Sequence, residues 1–213
     1  MAKTIKKHWD MVLVGGIGLT LAIIGVLIMS GMIGMPSSVS AATTATATVD
    51  VSATVAETIE ITASSGAMSL GTLSSGSVSA TSNNFTVKTN AAGGYTVNLK
   101  DKDYSPTSSD PGLHKLTAPA STIASASTTL SPGTAGYGAQ GTTTDSDVTI
   151  APAYNKTGDA VGKIEVTPAQ NFASSSSPTL GDQSTLTLKA TISTITGAGA
   201  YQDQLTLTAV GTF

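Results

Sequence analysis

The 213-residue chain contains no cysteine and no arginine. Without cysteine there is neither a disulfide framework nor a thiolate metal site. Charged residues make up 11% of the chain, less than half the usual share, and aromatics 4%. Ten Lys against thirteen acidic residues leave a net charge of −3, which excludes nucleic-acid binding through a basic patch. No Gly-x-Ser-x-Gly elbow and no strand–Gly-rich loop–helix unit occurs, so neither a hydrolase elbow nor a phosphate cradle is present.

The first forty residues read as a targeting segment. Lys3, Lys6 and Lys7 precede an uncharged stretch from Met11 through Met35, followed by Pro36 and a small-residue run ending in Val39-Ser40-Ala41. A basic start, an apolar middle and a small-x-small end make a secretory signal peptide, with cleavage between Ala41 and Ala42. The apolar stretch is also long enough to span a bilayer, so an uncleaved signal-anchor stands as the second reading. In both readings residues 42–213 lie outside the cytoplasm, and membrane contact is confined to residues 11–35. Cleavage leaves seven Lys against twelve acidic residues and removes Trp9, the only tryptophan.

About a third of the exported part is Ser or Thr. Such a composition suits a disordered stalk or a β-rich domain with Thr-covered faces. Periodicity favours strands. Between Ala45 and Ile61 the odd positions are nearly all apolar and the even ones mostly Thr, Ser, Asp or Glu. Phe85, Val87 and Thr89 alternate with polar neighbours, as do Tyr95, Val97 and Leu99, and Asn90-Ala91-Ala92-Gly93-Gly94 lies between them. This reads as a β-hairpin with a five-residue loop. Shorter strands are expected at Val148–Ile150 and Val161–Val166, and longer ones at Leu186–Ile192 and Leu205–Ala209. Phe85–Thr89 parallels Leu186–Ala190, each followed by glycines and a Tyr, a faint two-fold resemblance. Residues 101–147 hold Pro106, Pro111, Pro119 and Pro132 and read as long loops around one or two short strands. Residues 172–184, with four consecutive Ser, read as a second loop. No amphipathic helix follows residue 42. The expectation is an all-β, antiparallel β-sandwich in a single domain over 42–213, after an N-terminal signal helix over 1–41.

Candidate sites are few. Asp101, Asp103, Ser105 and Thr107, with Asp110 beyond, have the alternating oxygen spacing of a calcium loop, but Pro106 and Gly112 stand where an EF-hand needs Gly and an acid. A non-EF calcium site at Asp101, Asp103 and Asp110 competes with a solvated acidic loop. No other cofactor is implied. Asp145 and Asp147 form a weaker case of the same kind. His114 is the only His after the leader, and it reads as a surface residue, not a catalytic base. Tyr104, Tyr137 and Tyr154 fall in expected loops and are candidate glycan-stacking residues, with the glycines around Tyr137 forming a flexible turn. Asn84 and Asn155 lie in N-x-Thr triplets that match the N-glycosylation acceptor.

Three segments carry a family resemblance. Leu70-Gly71-Thr72-Leu73 with Gly76 resembles the "LGTL..G" segment of secreted bacterial surface proteins. Phe85 to Leu99 resembles their "TVTTNA.GGYTV.L" hairpin. Gly199 to Thr208 resembles the terminal strand of fimbrial and spore-coat-U-like domains, and WxL-type wall proteins use a similar hairpin. The Trp-x-Leu signature and the pilin disulfide are both absent, and the middle region matches nothing. The resemblance implies an immunoglobulin-like sandwich at the cell surface, extracellular or attached to a cell-wall component, that is not an enzyme. It also implies self-association by donor-strand complementation, in which an extended segment of one subunit completes the sheet of the next. Residues 43–56, with Val49, Val51 and Val55 on one face, are the candidate donor, or else the first strand of the chain's own sandwich. An adhesin acting through its loops is the alternative function.

Overall fold

The computed structural model describes residues 44–102, 111–117 and 120–213. The leader, its apolar stretch, Asp103, Tyr104 and Asp110 lie outside the described residues. Among the described residues no helix is long and apolar enough to cross a membrane. The chain divides into two units, residues 1–51 and 52–213. In the first, residues 44–51 carry no secondary structure and their side chains are exposed.

The second unit is all-β and antiparallel. One sheet contains β1 (Ile59–Ala63), β2 (Ser79–Thr89), β7 (Gly136–Thr143) and β11 (Thr179–Thr191), in the order β1-β2-β11-β7. The other contains β3 (Tyr95–Asp101), β8 (Val148–Ile150), β10 (Gln170–Ser175) and β13 (Leu205–Gly211), in the order β13-β3-β10-β8. Two small sheets flank these. One is β12 (Tyr201–Gln202), β4 (Gly112–Lys115) and β5 (Thr122–Ala124); the other pairs β6 (Thr128–Thr129) with β9 (Ala160–Val161). The molecule is immunoglobulin-like in placing two antiparallel layers around one core. Its strands interleave, with β3 between β13 and β10 and β11 between β2 and β7, so neighbours in each sheet are far apart in the chain.

The alternation in sequence decides which face of each strand is buried. In β3 the residues Tyr95, Val97, Leu99 and Asp101 are buried while Thr96, Asn98 and Lys100 are partly exposed. Phe85 and Val87 of β2, Leu186 and Leu188 of β11, and Phe172 of β10 meet them in one cluster. Phe172 lies between Phe85 and Tyr154, with ring centroids 5.7 and 5.3 Å away and tilted planes, an arrangement that aromatic quadrupoles favour.

Three expectations are corrected. The expected hairpin over 85–99 is instead a crossover: β2 pairs with β1 and β11, and β3 pairs with β10 and β13, so the two strands face each other across the core. Period two fixes the buried face of a strand but not its hydrogen-bonding partner. The crossover needs Gly94, whose φ is +74° and where a Cβ would lie 2.0 Å from the Ser175 carbonyl oxygen. The 172–184 stretch is not a loop either, since β10 runs to Ser175 and β11 starts at Thr179. Nor is 101–147 mostly loop. It contributes β4, β5, β6 and β7, and the glycines beside Tyr137 belong to strand β7. At Gly141 a Cβ would come within 2.7 Å of Ile150 and 2.8 Å of Phe172, so absence of a side chain is what lets the layers close there. The faint repeat has a structural counterpart: β2 pairs with β11 and β3 with β13, each of the two crossovers linking one layer to the other.

Phe172→Ala removes the ring that joins the layers. It is expected to lower stability by about 3–5 kcal/mol, read as a fall in the urea midpoint with an unchanged slope.

Candidate functional site

The two long edges of the sandwich differ. On the β7/β8 side the layers close through Gly141, and isolated bridges Ser125↔Tyr137 and Ala139↔Gly162 cover β7. On the opposite side β1 and β13 are outermost in their sheets. Their inward rows stay partly accessible: Ile61 in β1, and Leu205, Leu207 and Ala209 in β13. Between them runs an open groove of about 1110 Å³. Its apolar lining includes Ile61, Leu70, Leu186, Leu188 and Leu207. The Leu70–Leu73 segment, singled out by its resemblance, forms part of this lining.

The edge of β13 is unusual in its chemistry. Natural sheets protect such edges with charge, proline or bulges. The sequence Leu205-Thr206-Leu207-Thr208-Ala209-Val210-Gly211 has none of these residues, and its seven-residue pairing with β3 runs without a register shift. Among the described residues no strand pairs with its outer side. It presents backbone donors and acceptors in a row beside an apolar trough.

The chain itself holds a segment with complementary features. Residues 44–58 form no strand despite their alternation, so the expectation of a strand from Ala45 is corrected to one beginning at Ile59. Val49, Val51 and Val55 are 80%, 88% and 82% exposed. No described residue pairs with residues 44–55 through the sheet ladders. The segment contains neither proline nor glycine.

One end of the groove is polar. Asp203, in the turn between β12 and β13, and Tyr137 both line it. Asp101 is fully buried, and its Oδ2 accepts a 2.9 Å hydrogen bond from the Gly112 N–H. Asp203 Oδ1 accepts 2.6 Å from the Gln204 N–H. Asp203 Oδ2 is buried without a hydrogen-bond partner among the described residues, and Asp101 and Tyr137 are its electrostatic neighbours. Burial, and then the Asp101 charge, push the Asp203 carboxyl up to about 7. Burial, then Asp203, raise the Tyr137 phenol well above its ordinary value.

The sequence candidates separate accordingly. Asp101 ends β3 with its side chain on the inner face, engaged by Gly112 and Asp203, so it does not belong to an acidic loop; Asp103 and Asp110 lie outside the described residues. Among the described residues no group of three or more His, Asp or Glu is placed to hold a metal. Tyr137 is corrected from loop to strand β7, Tyr154 stays in the turn after β8, and both are buried; a ring with no exposed face has nothing to stack on a glycan. Tyr154 donates 2.9 Å to the Lys163 carbonyl, and burial, then Glu165, push its phenol up to about 12. Tyr104 lies outside the described residues. His114, expected at the surface, is buried in β4, with Nδ1 3.2 Å from the Thr122 hydroxyl. The groove, the β13 edge and Asp203 were missed. The charge-free, proline-free run at 205–211 is the signal that points to the edge. Compared with known proteins, the chain matches no family model and no curated protein.

Asp203 binds its proton more tightly in the folded chain than at its ordinary value of 3.8. The folded state therefore holds more protons than the unfolded state between about 4 and 7, and this group's contribution to stability falls as pH rises through that window. Asp203→Asn is expected to flatten that part of the profile and to raise the melting temperature relative to wild type at pH 8. Parallel wild-type and variant profiles would contradict the assignment.

Proposed function

We propose that this chain is an exported cell-surface structural protein whose copies join by strand complementation. The segment at residues 44–57 of one copy adds to the β13 edge of another and lays its valine face into the groove. The observation that carries this reading is the coexistence, in one chain, of an unpaired alternating segment and an unprotected sheet edge beside an apolar trough. Period two matches the two requirements of strand addition: backbone hydrogen bonds along the edge, and alternate side chains turned into the groove. The basic, apolar and small-residue leader supports export of the domain. The loop-adhesin alternative loses two of its three tyrosines to the core.

Deleting residues 43–56 is expected to abolish filaments or oligomers in electron micrographs and light scattering, while circular dichroism of the remainder keeps its β signal. Val51→Ser removes one buried valine and is expected to weaken assembly roughly tenfold, since a buried Val contributes at least about 1.5 kcal/mol. Undiminished assembly in the deletion would refute the proposal.

A further inference from the structure

Resting on that reading, we infer that Asn90 is a positioning residue that commits the donor segment to a second copy of the chain and keeps it out of its own groove. Asn90 follows the last residue of β2. Its side-chain Nδ2 donates 2.7 Å to the Ala56 carbonyl, and its Oδ1 accepts 2.8 Å from the Thr58 N–H. Its backbone N–H donates 3.3 Å to the Thr58 carbonyl, which also accepts 2.8 Å from the Thr89 hydroxyl. In an extended chain the carbonyl of one residue and the N–H of the residue two further on face the same side. A single amide bonding both therefore holds Ala56–Thr58 straight, as a one-residue continuation of the β1–β2 ladder.

The direction of that continuation matters. Ile59 at the start of β1 pairs with Thr89, and Gly211 at the end of β13 pairs with Tyr95. Both positions flank the 90–94 crossover, where Thr212 also bonds Gly93 and Gly94. The start of β1 and the end of β13 thus lie at the same end of the sandwich. To fill the groove beside β13, the chain's own segment would have to turn back sharply within residues 56–58. Those residues are Ala, Glu and Thr, with no glycine or proline to make a tight reversal, and Asn90 holds them extended. A segment folded back in this way would also run parallel to β13, with slanted and slightly weaker hydrogen bonds. A segment from another copy meets neither constraint and can enter antiparallel.

The test uses the absence of native cysteine. Val51→Cys and Leu207→Cys are introduced together in the exported chain and joined with a short bismaleimide, and the products are resolved by denaturing electrophoresis. The same pair is placed in Asn90→Ala and Asn90→Asp backgrounds, the latter keeping the acceptor for Thr58 but losing the donor to Ala56. The expected result is a ladder of linked copies in wild type, a several-fold gain of internally linked monomer in Asn90→Ala, and an intermediate gain in Asn90→Asp. Ladders of equal strength in all three backgrounds would overturn the role of Asn90 and leave strand complementation standing. Internally linked monomer as the main wild-type product would overturn the commitment to a second copy. No cross-link in any background, with circular dichroism showing folded protein, would overturn both the inference and the strand reading beneath it.

Discussion

The structure depends on how closely two antiparallel layers approach, and that spacing is unequal across the sandwich. At Gly141 the backbone of β7 lies against Ile150 and Phe172 with no room for a methyl group. Opposite, beyond Leu186 and Leu188, the layers part around a groove. The tilted rings of Phe85, Phe172 and Tyr154 join the two layers between these sides. A chain without disulfides must draw its stability from that packing, and the burial of Val87, Val97 and Leu99 shows where it does so.

The open side has a different logic. Edge strands expose paired rows of N–H and C=O groups, and most proteins blunt them. Here β7 is covered by bridges and β8 is only three residues long, whereas β13 is seven residues of uncharged, regular strand. Leaving the β13 edge unprotected beside partly exposed Leu205, Leu207 and Ala209 carries an aggregation hazard unless something pairs with it. The run at 44–55, which no strand pairs with among the described residues, has the right period and lacks the proline and glycine that would forbid pairing. Asn90 and the Asp101–Asp203–Tyr137 cluster sit at opposite ends of this side, one governing how the segment leaves the sandwich and the other burying a carboxyl beside the start of β13.

Much of the layer structure was legible in the sequence. Phe85 to Thr89, Tyr95 to Leu99, Leu205 to Ala209 and all of Leu186 to Ile192 but its last residue lie in strands with the expected face inward, because period two directly encodes which side chains meet the core. Partner choice was not legible, and the crossover at 90–94 looked like a hairpin for that reason. The segment at 45–57 shows the same limit from the other direction, since alternation without a partner makes no strand. The glycines around Tyr137 suggest a turn because glycine permits turns; close approach of Val161 at Gly138, and of Ile150 and Phe172 at Gly141, selects glycine in a strand just as strongly. Tyr137 and Asp101 carried polar tips that pointed to the surface, and only the fold shows that they face each other's neighbourhood inside.

The most direct measurement of the central claim is amide hydrogen exchange on the purified protein, compared between assembled and dispersed samples. The account predicts that residues 45–57 and the β13 amides at 205–211 gain protection together on assembly, while the β7 edge is unchanged. Assembled protein in which both stretches exchange as fast as in the dispersed chain would contradict it.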